Sequence, residues 1–447
     1  MAAETSLSLT NWCGTHELAA LDQLAQPESE PEVQAALAQT GPEGKVQITG
    51  SRHSWPELIT APGALALNTE KMCRIHHVGD DRIDVDGGAT LAEIHDALRT
   101  VGQRLDYYPP VIASQTVAGA MATGTHGQGM GQSTLGDAAR SIRFVDAGGE
   151  AHECHQEDAD FGAFRLHLGC LGVLTRVTLA TVPNLAFTCE KLVVNHRDFL
   201  DQFDRWNRDH SSCKAWWFPD HDTVHVWLTR PATPGETERL RENGGQLVWW
   251  GGESSELNEV VDTAIERMRV DTKTHDLRRA QFKTVLRFKD FGNVTGDITD
   301  LLCQGIPVAQ INCEVGVPLA AVPQVQAELS ALYGTGQHQL HYPIIMRPTG
   351  PSDAWLSPGY KRDTCYYGFV IYRAEDGSFP ASSFTHLNES QEILAGAGGM
   401  PHWGKYFSPE RFDFSQFERW EDFKRIRYRY DPGRRFLGPF LEAIIGS

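Results

Sequence analysis

The chain has 447 residues, 41% of them hydrophobic and 22% charged. These values exclude collagen-like, low-complexity and disordered classes and leave room for two or three domains with a large core. Its 58 acidic and 40 basic side chains give a formal charge of −18, which repels phosphate backbones and anionic lipid. Nucleic acid and membrane surfaces are therefore not expected as partners, and any anionic ligand must be held by local geometry. No apolar run reaches the ~18 residues of a transmembrane helix. Nine cysteines with no Cys-x-x-Cys pair point to reduced thiols. With no basic-then-apolar leader in view, the expected setting is cytoplasmic.

Residues 1–45 read as an acidic, helical lead-in, with a helix at 34–38 closed by Gly41-Pro42. Short strands follow at 45–49, 64–67 and 83–86. The last ends in Gly87-Gly88-Ala89-Thr90, where Thr90 and Glu93 form a capping box. That box opens a helix over 91–101 with Leu91, Ile94, Leu98 and Val101 on one face, ended by Gly102. Residues 103–136 break the pattern with Tyr107-Tyr108-Pro109-Pro110 and then six glycines from Gly119 to Gly136, too apolar and regular for a flexible linker. Strands at 141–146 and 172–182 bracket an acidic turn region at 150–160, and Pro183-Asn184 reads as a domain boundary. Beyond it, strands at 224–228 and 365–372 alternate with helices at 257–269 and 322–332. This predicts an antiparallel sheet covered on one side, an α+β layer. Trp216-Trp217-Phe218 and Trp249-Trp250 are expected in core or pocket wall. The tail, 401–447, is helical, basic near 424–429, and turns at Asp431-Pro432-Gly433.

Three segments carry candidate chemistry. Gly50-Ser51-Arg52-His53-Ser54-Trp55 follows a strand, where glycine permits a tight turn or close approach to a ligand. Val117-Ala118-Gly119-Ala120-Met121-Ala122-Thr123-Gly124-Thr125-His126-Gly127 is dense enough in small residues for the main chain to lie against a pyrophosphate. His402-Trp403-Gly404-Lys405 stands near the C-terminus. Neither a Rossmann G-x-G-x-x-G nor a Walker A loop is present. His152-x-x-His155 reads as a solvated loop, and no metal site is expected.

Taken in this order, the segments resemble the vanillyl-alcohol-oxidase-type flavoproteins, with their PCMH-type FAD-binding domain, and most closely the sugar-1,4-lactone and alditol oxidase branch. The resemblance spans nearly the whole chain. It rests on Asn11-Trp12, GSRHSW at 50–55, DVDGGATLAEIHDAL at 84–98, QTVAGAMATGTHGQG at 115–129 and LGCLGVLTRVTL at 168–179. It continues through WWFPDHDTVHVW at 216–227, VGVPL at 315–319, AWLSPGYKRDTCY at 354–366, PHWGK at 401–405 and DPGRRFLGP at 431–439.

The resemblance implies an α+β, two-domain fold. An FAD-binding domain, 1–184, would be completed by the tail 407–447, and a cap domain, 185–406, would bind substrate. It implies FAD joined covalently to His53, with Gly50, Ser51, Arg52, Ser54, Ser114 and Thr116 among the cofactor contacts. Gly119, Thr123, Gly124, Thr125, His126 and Gly127 would cradle pyrophosphate and ribitol, and Val173 or its neighbours would meet adenine or a flavin edge. The implied reaction moves a hydride from a small-molecule CH–OH group to flavin N5, with O2 as acceptor giving H2O2, or another electron acceptor. Reduction loads negative charge on the flavin N1–C2=O edge, for which Lys405 and Arg347 are the candidate cations. Arg347 stands nine residues before Leu356-Ser357-Pro358, the family spacing. His402 is either a base or an orienting residue.

Two positions depart from the pattern. Sugar-oxidising members carry Glu-x-Arg on the active-site strand, whereas here Ile345 precedes Met346-Arg347. Pro110-Val111 falls where a small-polar pair is usual, unless a gap shifts the register onto Ala113-Ser114. An apolar residue cannot hydrogen-bond a polyol. A bulkier, less hydroxylated alcohol, amine or ring carbon is therefore the alternative substrate, with Tyr107, Tyr108, Tyr342, Tyr360 and Tyr372 as replacement polar groups.

Overall fold

The computed structural model describes residues 8–446 except 13, 15, 109, 252–265, 267–291, 304–309, 339, 341, 375–377 and 380. The helix expected at 257–269 lies outside the described residues. The expected helical lead-in is a helix only at its end. Strands β1 (Ser8–Thr10) and β2 (Glu17–Ala20) pair as an antiparallel ribbon, and β3 (Leu24–Ala25) follows. Helix α1 (Glu30–Gln39), with Pro31 in its first turn, buries Val33, Ala36 and Leu37 at i, i+3 and i+4. It is the crossover that lets β3, β4 (Val46–Thr49) and β5 (Leu65–Asn68) run parallel in the order β3-β5-β4.

A second sheet is antiparallel, built from β6 (Ile75–Val78), β7 (Arg82–Asp86), β8 (Gln103–Leu105), β9 (Ala139–Val145), β10 (Ala151–His155) and β11 (Val173–Pro183). Their order is β10-β9-β11-β7-β6, with β8 also on β11. The Thr90–Glu93 box opens α2 (Leu91–Thr100) as expected. The supposed turn at 150–160 contains β10. His152 and His155 stand three residues apart on that strand, so they face opposite sides and cannot pair on a metal. His152 instead meets Asp146 at 2.8 Å.

The third sheet has nine strands: β12 (Ala186–Asn195), β13 (Ser212–Phe218), β14 (Thr223–Pro231), β15 (Val248–Trp250), β16 (Asn293–Asp297), β17 (Gln310–Pro318), β18 (Ile344–Thr349), β19 (Thr364–Tyr372) and β20 (Met400–Pro401). Their order is β15-β16-β12-β14-β13-β18-β19-β17-β20. One-sided cover is as expected, over far more strands. Cys213, Ala215 and Trp217, Ile344 and Met346, and Cys313, Val315 and Val317 pack in the main core with Phe199, Leu329 and Leu387 from helices His196–Asp209, Val322–Gly334 and Ala381–Gly396. Period-2 alternation turns the residues between them toward a cavity. Trp249 and Trp250 are not wall residues: they lie on edge strand β15, 42% and 37% exposed.

The tail returns to the N-terminal sheets. The backbone N–H of Val46 donates to Arg435 (2.9 Å) and that of Ala147 to Tyr430 (3.1 Å), and Leu441 and Ile445 join the core that holds Leu58. The basic run at 424–429 is no patch. Lys424, Arg425 and Arg429 pair with Glu421, Asp422 and Asp160. All eight cysteines among the described residues are free thiols, and no described helix is long and apolar enough to cross a membrane.

Candidate active site

Two cavities of about 980 and 1210 Å³ form one cleft, because His53, Ser54, Gln115 and Thr123 line both. The first runs between β4, the short helix α3 (Val117–Ala122), the start of β11 and the tail. Gly50, Ser51, Arg52, Thr116 and Gly119 line it as well. A Cβ on Gly50 would lie 2.0 Å from Thr116 Oγ1, so only glycine lets the strand end abut α3. Ser51 Oγ and His53 Nδ1 are buried with no hydrogen-bond partner. Unmet polar atoms along a tight cleft suit a polar cofactor, and these residues fit FAD.

His53 stands where the cavities meet. Its Nε2 lies 3.0 Å from Ser114 Oγ and its ring 5.2 Å from Trp12. Burial, then Lys405 and Arg52, push its pKa down to about 4, so the ring is neutral at pH 7. Arg52 adopts a left-handed backbone, φ 59°, and its guanidinium turns to Gly50 O (3.1 Å) and the Glu70 carboxylate. Four expected cofactor contacts lie off the lining, Ser114 among them as the partner of His53. Val173 is packed among Val33, Leu37 and Val46, while its neighbours Gly172 and Leu174 line the cavity; alternation along the strand leaves the lining to the neighbours. Gly124 and Gly127 serve the backbone instead. Gly124 has φ 71°, and a Cβ on Gly127 would lie 2.2 Å from Tyr108 O.

The second cavity is floored by the alternate residues of the nine-stranded sheet: Lys214 and Trp216, Trp227, Ile345 and Arg347, Val370 and Tyr372, and Gln310, Asn312 and Glu314. Thr125, His126, His402 and Lys405 also line it, as do Pro110, Val111 and Ile112. Both register options therefore touch the site, Pro110-Val111 as wall and Ser114 as partner of His53. Of the five tyrosines, Tyr342 and Tyr372 line this cavity and Tyr107, Tyr108 and Tyr360 do not.

Glu314, which the sequence reading missed, is the hub. It is 2% exposed, and its carboxylate accepts from Arg347 Nη2 and lies 3.5 Å from His126 Nε2. It lies close to the departure at Ile345. Ile345 and Glu314 are both register partners of Gly368 on β19, from its two sides. A Cβ at Gly368 would lie 3.5 Å from Ile345 Cβ and 3.6 Å from Glu314 Oε1. A carboxylate thus reaches Arg347 from β17 across a residue with no side chain. Burial pushes the Glu314 carboxyl up, but Arg347 and His126 outweigh it and hold it well below the usual range.

The two histidines are complementary. His126, stacked on Tyr366 at 3.6 Å, places Nδ1 3.0 Å from Gly127 O. A carbonyl only accepts, so Nδ1 carries the proton and the neutral ring keeps its lone pair at Nε2, beside Glu314. At His402 the Gly404 N–H donates to Nδ1 at 3.0 Å, so the proton sits on Nε2. Burial lowers both pKa values. His402 thus presents an N–H, and His126 a lone pair, at Nε2. His126, Glu314 and His402 offer ligand atoms within 4.8 Å of one another, but Arg347 and Lys405 act on the same carboxylate, and two cations there oppose a metal ion.

Lys405 is held by both halves of the cleft. Its loop receives Trp55 N–H at Gly404 O (3.0 Å) and sends Tyr406 N–H to Asn312 O (2.8 Å), while Trp403 Nε1 donates to Leu356 O (2.9 Å). Lys214 also escaped the sequence reading. For both missed residues the signal was one charge at an alternate position of an apolar strand.

Residues 177–444 match the family model described as D-arabinono-1,4-lactone oxidase, and residues 21–155 match an FAD binding domain. The chain belongs to the D-arabinono-1,4-lactone oxidase family. As such it is an FAD-dependent oxidoreductase. It is 26% identical to L-gulonolactone oxidase of Mus musculus, over 97% of each chain. It is equally 26% identical to L-gulono-1,4-lactone dehydrogenase of Mycobacterium tuberculosis, over 98% of this chain and 99% of the relative. Its fold is that of a cholesterol oxidase from B. sterolicum, with TM-score 0.73 at 13% identity over 98% of this chain and 96% of that one.

Proposed function

We propose that this chain oxidises a CH–OH group of a sugar-1,4-lactone or related polyol, with O2 as acceptor and the flavin tethered covalently to His53. The observation that carries the reading is the meeting of Glu314, Arg347, His126 and Lys405 in a cavity that adjoins His53. In this reading residues 1–184 and 407–447 hold the cofactor and 185–406 cover the substrate. Bound FAD supplies the acceptor for the substrate hydride, and O2 then takes the electrons to give H2O2.

The protein's own part is binding, orientation and proton handling. Ionised Glu314 and the His402 Nε2–H hold the substrate hydroxyls. His126 Nε2 takes the hydroxyl proton as the C–H bond breaks, and Glu314 stabilises the imidazolium that forms. Lys405 supplies fixed positive charge where negative charge develops. His53, neutral through burial, has the free lone pair that bond formation to the flavin needs.

A second reading, a bulkier and less hydroxylated alcohol, is favoured by the apolar wall of Pro110, Val111, Ile112, Ile345 and Val370. The test is a visible spectrum before and after acid precipitation, followed by anaerobic L-gulono-1,4-lactone and xylitol. A yellow pellet supports the tether, and bleaching by either compound supports the lactone or polyol reading. A yellow protein that neither compound bleaches moves the assignment to the bulkier alcohol.

A further inference from the structure

Lys214 is the one cavity cation that neither the cofactor chemistry nor the Glu314 hub uses. It sits on β13 and is 7% exposed. β13 pairs with β18 through Ala215↔Met346 and Trp216↔Ile345, so Lys214 and Arg347 face the cavity from neighbouring strands. Arg347 is neutralised by Glu314. Lys214 has no carboxylate within ion-pair distance among the described residues. Its ammonium lies 3.9 Å from the Trp227 ring centroid and 5.1 Å from that of Trp216.

Those rings orient the ammonium but return only part of what burying it costs, and a buried charge is normally paired. The charged groups around it do not supply the pair. Arg347 on β18 and Lys191 on β12 oppose its charge, Cys189 on β12 favours it but is a thiol whose own pKa burial raises, and His225 on β14 is buried and neutral. Burial, then Arg347, lowers Lys214 to about 7, so the amine is ready to take a proton when an anion arrives. Among the described residues the site lacks one negative charge, and the cavity is where a ligand can bring it.

We propose that Lys214 anchors a carboxylate carried by the substrate, so that the preferred substrate is an acidic sugar lactone rather than a neutral one. This rests on the lactone-oxidase reading for the body of the molecule and adds the anionic substituent. The aromatic faces of Trp216 and Trp227 would flank the carbon next to that carboxylate.

The experiment is calorimetric titration of the flavin-loaded enzyme with D-glucaro-1,4-lactone, which carries a carboxylate, and L-gulono-1,4-lactone, which does not. Wild type, K214M and K214R are compared at pH about 6 and about 9, on either side of the lysine's titration. At the lower pH the wild type should bind the acidic lactone at least about tenfold more tightly than the neutral one. Binding should take up a proton near neutrality, and the advantage should fade at the higher pH. K214M, which strands no hydrogen-bond partner and should fold, should erase the advantage, and K214R should keep most of it. Equal binding of the two lactones by the wild type, binding of neither, or equal weakening of both by K214M overturns the proposal. Bleaching of the flavin is read in parallel. If gulonolactone bleaches it while Lys214 proves indifferent, the oxidase reading stands alone. If the acidic lactone binds through Lys214 and neither compound bleaches, Lys214 stands and the lactone-oxidase reading falls.

Discussion

Glu314→Gln isolates the charge of the hub while keeping its size. In the wild type the carboxylate lies 3.5 Å from His126 Nε2. Opposite unit charges at that distance attract by about 5 kcal/mol at an effective dielectric near 20. Arg347 on the same carboxylate offsets more than half of this, leaving about 2 kcal/mol, or ~30-fold in rate. Anaerobic stopped-flow reduction with saturating lactone should therefore slow by about that factor, and weaker substrate binding should add to the loss in kcat/KM.

The pH profile gives a second, signed readout. His126 must be neutral to accept a proton, so the rate is lost as pH falls through its pKa. Burial lowers that pKa and Glu314 raises it, so Glu314→Gln should move the acid limb to lower pH. A slower reaction with an unmoved limb would mean that Glu314 only binds substrate. An unchanged maximal rate would refute the hub. Because Ile345 and Glu314 flank the same Gly368, adding Ile345→Glu to Glu314→Gln should recover part of the rate. No recovery would break the claim that the carboxylate comes from two strands over, across Gly368, while its target stays fixed.

Other outcomes follow from the same geometry. His53→Ala should release its flavin into the supernatant on acid precipitation while the wild type keeps it, and equal release from both disproves the tether. Lys405→Met should cut kcat by about 100-fold with a smaller effect on lactone affinity, and a change confined to KM would assign Lys405 to substrate binding instead. Gly50→Ala places a Cβ 2.0 Å from Thr116 Oγ1, so the purified protein should carry little FAD; full flavin occupancy would show that the strand end can shift.

Much of the cofactor cleft was legible because its signals are local. A glycine ending a strand, a capping box and a small-residue run are each contained within a dozen neighbours, and GSRHSW and HWGK reach the cleft where the resemblance implied. The cavity floor is not local. Glu314, Lys214 and Arg347 lie on β17, β13 and β18, and only strand order makes them neighbours. The strands were read as too few because β17 and β18 are separated by a helix and offer only short apolar runs. The open choice between Val173 and its neighbours has the same origin: a motif locates a segment, but alternation decides which residues of it face the cavity. Trp249 and Trp250 failed because aromatic content alone does not reveal an edge strand.

The alternation also explains how the site tolerates Ile345. On a flat stretch of antiparallel sheet, a position is defined by its distance from the reacting group, and two strands flanking a glycine can serve the same point. Gly368 leaves that point open, so the carboxylate can come from either side while Arg347 and His126 stay where they are. Ile345 then adds apolar wall instead of removing function. With the hub's charge already closed on Arg347, Lys214 keeps a charge on the floor that no carboxylate among the described residues pairs. Lys405 supplies the positive charge beside the Glu314–Arg347 pair and Lys214 supplies that of β13, and it is Lys214 that is placed to orient a lactone bearing one carboxylate.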